Sequence, residues 1–151
     1  MKSYLTHDYW MSFALKEAEK ALEENEIPVG AILVKESSII AQNHNRTRQM
    51  SDPTAHAEKL VIEEIISKGE KYLYDFTLYV TLEPCSMCAG TIVLARVGTV
   101  VFGAFDGKTG AVGSLYNIPA DRQLNHNPKI IRGVKSTECS ELLKEFFKSK
   151  R

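Results

Sequence analysis

The chain has 151 residues, 44% of them hydrophobic and 25% charged, the size and balance of one globular domain, residues 1–151, with room for a single core. Nineteen Lys plus Arg balance nineteen Asp plus Glu, which excludes an overall positive field that would draw the chain to nucleic acid or to an anionic membrane, so any such partner must be held by a local patch. No apolar run approaches the ~20 residues that cross a bilayer, and the opening MKSYLTHDYW lacks the apolar core and cleavage site of a secretory signal, so a cytoplasmic protein with no membrane partner is expected.

Between Tyr9 and Leu22 apolar residues fall at Trp10, Phe13, Ala14, Ala18, Ala21 and Leu22, the spacing of one helical face. Two short runs rich in β-branched residues follow, Val29 to Val34 and Ile39 to Gln42, separated by the polar KESS, and these read as a hairpin. Asp52 is suited to cap a helix with Pro53 as its first residue, because proline there gives up a donor that has no partner anyway. That helix is expected to run to about Ser67 and stop at Gly69.

FTLYVTLEP reads as a strand ending at Pro84, which would open a further helix from Cys85 to about Arg96. GTVVFGAF is the next strand. The Gly-rich stretch from Asp106 to Pro128 has no sustained periodicity, and a loop this long in a compact domain is usually functional or mobile. KIIRGV gives a last short strand, and Glu138 to Lys148 a final helix. Its basic end, with Lys144, Lys148, Lys150 and Arg151 around Phe146 and Phe147, is either a solvated tail or a binding surface. The order α-β-β-α-β-α-β-β-α predicts a partly parallel sheet covered by helices, with an antiparallel hairpin at one edge.

Two strand-to-helix junctions carry chemistry: PTAHAE opens one helix and PCSMC the other. Residues that start helices after strands lie at the carboxyl edge of the sheet, where open α/β sheets place ligand sites. Cys85 and Cys88 are three apart and can grip one ion, and the positive end of a helix favours the thiolates a metal requires. With His56 they form three ligands of the type zinc prefers; three protein ligands leave a position for water, the mark of a catalytic rather than a structural site. His7, ahead of the first helix, and His44 and His126, in loops, have no partner at ligand spacing and read as solvated or hydrogen-bonding residues. Cys139, in a helical pattern, reads as a small buried apolar residue. Glu58, two residues from His56, need not share its face if its work is different: a carboxylate there can take a proton from the metal's water and deliver it to a ring nitrogen or a leaving amine. HAE alone would suit a plain helix start, and CSMC alone a redox pair; two such motifs, each after a proline, favour the metal reading.

At these residues the sequence resembles the cytidine deaminase superfamily, whose signature is His-x-Glu followed by Pro-Cys-x-x-Cys. Within it, IPVGAILV, HNRTRQMSDPTAHAE, LYVTLEPCSMCAGTIVLARV and VVFGAFDGKTGAVGSL are most similar to the tRNA-specific adenosine deaminases, and LNH and EFFKSKR extend the likeness. The resemblance implies a three-layer α/β/α fold with a mixed central sheet of about five strands. It implies one Zn2+ per subunit on His56, Cys85 and Cys88, and a zinc-activated hydroxide that converts the wobble adenosine of an anticodon stem-loop to inosine with Glu58 as proton shuttle. It further implies that Asn45 contacts the flipped nucleoside, that Val29, Gly30 and Ala31 line the base pocket, and that Asp106, Lys108 and Thr109 meet the anticodon backbone, joined by Asn125 and His126. Phe146, Phe147 and the basic tail would grip the RNA loop. Phe105 stands where many relatives carry a basic residue. Family members are homodimers, which places the helix after Cys85 near an interface.

Two rival readings stand beside this one. Guanine and deoxycytidylate deaminases use the same zinc kit on free small molecules, but the DGKTGAVGSL stretch and the basic aromatic tail favour RNA. A non-catalytic RNA-binding subunit with a structural zinc would have no use for Glu58 and would need a fourth ligand.

Overall fold

A computed structural model describes residues 6–150; Arg151, counted with the basic tail above, lies outside them. The elements in chain order are α1 (His7–Glu23), β1 (Gly30–Lys35), β2 (Ser38–His44), α2 (Ala57–Ser67), β3 (Thr77–Leu82), α3 (Ser86–Leu94), β4 (Thr99–Ala104), a single 3-10 turn (Ile118–Ala120), β5 (Lys129–Ile131) and α4 (Ser136–Ser149). The predicted order therefore holds.

The strands form one sheet in the order β2-β1-β3-β4-β5. β1 runs antiparallel to both β2 and β3, whereas β3, β4 and β5 are parallel. This is the mixed sheet of five strands expected, with the hairpin at one edge. The hairpin turns on Glu36 and Ser37, both at positive φ (52° and 60°), the backbone of a two-residue primed turn whose twist suits antiparallel strands.

Helices cover both faces. α2 and α3 pack on one side, where Ala31, Leu33, Val61, Ile62, Ile65, Leu78, Ile92, Val100 and Phe102 share a core. α1 and α4 pack on the other, where Met11, Ala14, Ile32, Val101 and Cys139 share a second core. Residues alternate along β1 because successive side chains of a strand point to opposite faces. Gly30 belongs to the α1 side: a Cβ there would lie 2.1 Å from Ala14 O and 2.5 Å from Ala18 N, so glycine is what lets α1 close on the sheet. Cys139 is buried as expected, 1% exposed.

α2 begins four residues later than the sequence suggests. Asp52 is not its cap: its Oδ1 accepts from Thr54 N (2.8 Å) and Thr54 Oγ1 (2.7 Å), closing a local turn that spends the side chain before the helix starts. Pro53 sits inside that turn, and His56, extended at φ −81° and ψ 149°, is the N-cap. Likewise Cys85 is the N-cap of α3 and Pro84 precedes it.

Candidate active site

The two helix starts lie next to one another at the carboxyl edge of the parallel strands. Neither N-cap side chain makes a capping bond to its helix backbone, although Ser, Thr, Asp or Asn would do so at this position. Both side chains are instead turned to each other: His56 Nδ1 is 3.6 Å from Cys85 Sγ and 3.5 Å from Cys88 Sγ. Among the described residues these three form the one group able to hold a metal ion, with ligand atoms all within 4.8 Å of one another.

The spacing tests the fit. A tetrahedron with metal–nitrogen bonds of ~2.0–2.1 Å and metal–sulfur bonds of ~2.3 Å has nitrogen–sulfur edges of about 3.6 Å. The observed pair of distances meets that requirement, and the donor set suits zinc. Local electrostatics agree. The hydrogen bond from Cys88, then that from His56, holds the Cys85 thiol down at about 4, against the opposing effect of burial. Cys88 is pushed up by its bond to Cys85 and by burial. The bond to Cys85, with the charge of Glu58, raises His56 in spite of burial.

Glu58 lies in the first turn of α2, 4% exposed. Burial pushes its carboxyl up to about 7, the range in which a group both takes and gives protons at neutral pH.

These residues open onto a cleft of about 1170 Å³. Its inner wall includes Val29, Asn45, His56, Glu58 and Cys85; its outer walls are the 105–109 loop and the inner side of α4, with Leu143, Lys144, Phe147, Lys148 and Lys150. Asn45 is 4% exposed, and among the described residues its Oδ1 has no hydrogen-bond partner. A buried carbonyl oxygen without a donor is costly in a protein unless something else supplies one.

Several expectations are corrected. Gly30 and Ala31 are absent from the cleft wall, because Gly30 is pressed against α1 and Ala31 is fully buried in the core; of that segment only Val29 reaches the cleft. Phe146 is 6% exposed, since it points inward from α4, and Phe147 takes the cleft position. His126 and Asn125 lie outside the wall. His126 donates from Nε2 to Val97 O (2.6 Å) and packs against Tyr74. His44 is no loop residue: it ends β2, buried, with Nδ1 2.9 Å from Glu17 Oε1 and Nε2 2.8 Å from Glu24 Oε1, which locks the backbone next to Asn45. Asp106, Lys108 and Thr109 all line the cleft.

The sequence reading misses two buried carboxylates that shape the cleft. Glu83, 2% exposed, accepts from Asp106 N, Val112 N and Ser114 N, each at 3.0 Å, and from Ser114 Oγ at 2.5 Å. Burial alone would raise its pKa, but these bonds outweigh it and hold the group below the usual carboxylate range. Glu26, 1% exposed, accepts from Arg48 N (3.0 Å) and Gln49 N (2.7 Å). Each pins a loop beside the cleft. Nothing local in the sequence marks either one: Glu26 follows Glu23, Glu24 and Asn25, and Glu83 stands between the end of β3 and Pro84.

Residues 5–104 match the model of the cytidine and deoxycytidylate deaminase zinc-binding region. A tRNA-specific adenosine deaminase of Aquifex aeolicus (strain VF5) is 48% identical over 95% of this chain and 95% of its own. One from Bacillus subtilis (strain 168) is 47% identical, over 95% and 90%. A solved structure from studies of A-to-I editing by tRNA:A34 deaminases at the wobble position of transfer RNA superposes with a TM-score of 0.85 at 42% identity, covering 89% of this chain and 99% of that one.

Proposed function

This chain belongs to the cytidine and deoxycytidylate deaminase family, and from that premise we propose that it is a zinc-dependent tRNA adenosine deaminase, a single-domain hydrolase that converts the wobble adenosine of an anticodon loop to inosine. The observation that carries the reading is the juxtaposition of three metal-ligand atoms, the ring nitrogen at tetrahedral distance from both sulfurs, with the buried carboxyl of Glu58.

His56, Cys85 and Cys88 would hold the ion, and the ion when bound supplies a water acidified from ~16 to about 7. The remaining work falls to the chain's own residues. Glu58 takes the proton as water adds to the adenine carbon bearing the amine, and passes it to the ring nitrogen. It then takes the second proton to the amine, which leaves as ammonia and leaves inosine. Burial raises the Glu58 carboxyl toward the range in which one group can act first as base and then as acid at neutral pH. Asn45 offers its unpaired carbonyl to a donor on the nucleoside, Val29 packs the base, and Lys108, Lys144, Lys148 and Lys150 meet the backbone around it. Asp106 and Thr109 brace that loop through Thr109 Oγ1 to Asp106 Oδ2, 2.7 Å. An anticodon loop suits the reaction because its bases are already unpaired, so extruding one costs little.

The relatives named for tRNA, matched along nearly the whole chain, weigh against guanine or deoxycytidylate as the substrate, and Glu58 weighs against a merely structural zinc. Among the described residues no helix is long and apolar enough to cross a membrane, in keeping with work on cytoplasmic tRNA. A homodimer is part of the same proposal: Leu94, at the end of α3, is 77% exposed, a large apolar side chain that a second copy would cover. Sedimentation as a monomer would exclude it.

The test is inosine formation in an anticodon stem-loop RNA by the zinc-loaded chain. Inosine at the wobble position alone is the expected result. None from a folded, zinc-loaded sample, with turnover of free guanine or deoxycytidylate, would overturn the reading.

A further inference from the structure

Two large apolar rings of the cleft are left half in water. Phe105, in the loop after β4, is 56% exposed, and Phe147, on α4, is 50% exposed; both line the cleft that holds His56 and Glu58. Such exposure forfeits burial that either ring could have in the core, and an exposed apolar patch inside a polar rim marks a binding surface.

Phe105 is also held in place. Its ring meets that of Phe102, itself fully buried, edge to face at 5.2 Å and 85°. Its Cε2 lies 3.5 Å from where a Cβ on Gly133 would stand, an ordinary packing distance, so the ring sits beside the Gly133 backbone. Clamped from beneath, the ring keeps a surface toward the cleft at little entropic cost on binding. Lys108, Lys144, Lys148 and Lys150 line the same space. Aromatic faces set among cations are how proteins hold unpaired nucleotides: the bases stack and the phosphates pair with the charges.

We propose that Phe105 is a specificity-determining residue whose ring stacks on an unpaired base next to the target adenosine. The proposal rests on the reading of the substrate as an RNA loop and adds to it a second nucleotide that the enzyme reads by its face. Stacking of this kind tolerates any base and fails only when the base is missing, so it selects for an unpaired neighbour rather than for a sequence. It is made before chemistry begins and persists through it, so its loss falls on KM rather than kcat.

The experiment uses stem-loop RNAs carrying 2-aminopurine, or an abasic nucleotide, at each position flanking the target, with the zinc-loaded wild-type chain and the variants Phe105→Leu and Phe105→Tyr. Wild type should quench 2-aminopurine at one flanking position. Phe105→Leu should lose that quench and raise KM about tenfold, within the range of base–aromatic stacking, while Phe105→Tyr keeps both near wild type. An abasic nucleotide at that position should cost the wild type the same factor and cost Phe105→Leu nothing more. Equal abasic penalties in the two proteins, or a quench retained by Phe105→Leu, overturn the proposal. If Phe105→Leu does not fold, a wild type indifferent to abasic nucleotides on both sides overturns it without a variant, and a wild-type penalty with the quench retained by Phe105→Tyr supports it. Quenching is read on the complex, not on the product. Inosine without a Phe105-dependent quench therefore removes the stacking and leaves the reaction; such a quench without inosine removes the reaction and leaves the stacking; absence of both removes both.

Discussion

The carboxylate of Glu83 occupies the space that a side chain on Gly110 would need: a Cβ there would stand 2.4 Å from Glu83 Cδ and 2.6 Å from Oε1. The glycine and the glutamate therefore form one unit that folds the 106–114 loop onto the start of α3, where Ala111 N also donates to Pro84 O (2.8 Å). Replacing Glu83 with Ala leaves buried N–H groups without an acceptor, at roughly 1–3 kcal/mol for each group that water does not reach. Glu83→Ala and Gly110→Ala should each lower stability by about 2–4 kcal/mol, read from urea midpoints at constant m-value. A loss below about 0.5 kcal/mol in both would show that the loop is held by something else.

The same carboxylate sets a pH dependence. Glu83 titrates below its ordinary range when folded, so its contribution is complete above the unfolded value of ~4.3 and disappears as pH falls through the lower folded value. Glu17 and Asp106 are shifted in the same direction. For Glu17 burial is outweighed by bonds to Lys20 and His44, and for Asp106 by those of Thr109 and Lys108. The stability gap between wild type and Glu83→Gln should be constant from pH 6 to 7 and shrink below about pH 4. A gap that widens in acid would contradict the assignment.

Glu58→Gln keeps the shape of the side chain and removes its ability to accept a proton. Turnover should fall by about 10²–10⁴, the usual contribution of a positioned acid–base group, while zinc content stays at one per chain. Retained turnover with full zinc would transfer the proton work to another group.

Stripping the metal with a chelator should abolish inosine formation and lower the thermal midpoint, and added zinc should restore both. Free zinc at 1,000 times its Kd stabilises the folded chain by about 4 kcal/mol if the unfolded chain does not bind it. Because the three ligands bind only in their deprotonated forms, protons compete with zinc and its retention should weaken as pH falls.

Lys108, Lys144 and Lys148 should show themselves through salt. Each phosphate contact contributes about 0.7 to the slope of log affinity against log salt for a single strand, so each lysine replaced by Ala should reduce the slope by about that amount and weaken binding to all stem-loops alike. An unchanged slope in the triple variant would place the RNA elsewhere.

The element order and the metal ligands could be read from the sequence because periodicity and short motifs are local. Trp10, Phe13, Ala14 and Ala18 mark one helical face whatever surrounds them, and HAE with PCSMC names its chemistry by spacing. The failures came from a competing local turn at Asp52 and elsewhere from tertiary contacts. Asp52 has the chemistry of a helix cap, but a nearer partner, Thr54, takes its oxygen. Phe146 and Phe147 are neighbours in sequence, and only the packing of α4 tells which is buried. Gly30 sits among residues expected to touch the base, yet what fixes it is Ala14 on a different helix. Glu26 and Glu83 are indistinguishable from surface glutamates until the loops they hold are in place.

The division of the cleft between two kinds of wall bears on how such a protein can change its substrate over time. The reactive half is built from helix starts set against a packed sheet, where most exchanges would disturb the metal or the core. The other half, Phe105 to Thr109 with the inner side of α4, carries exposed side chains that can be exchanged without touching a ligand atom. New substrate preferences can therefore arise by altering one half while the other keeps its chemistry, and a mutant library confined to those outer positions would sample specificity at small risk to turnover.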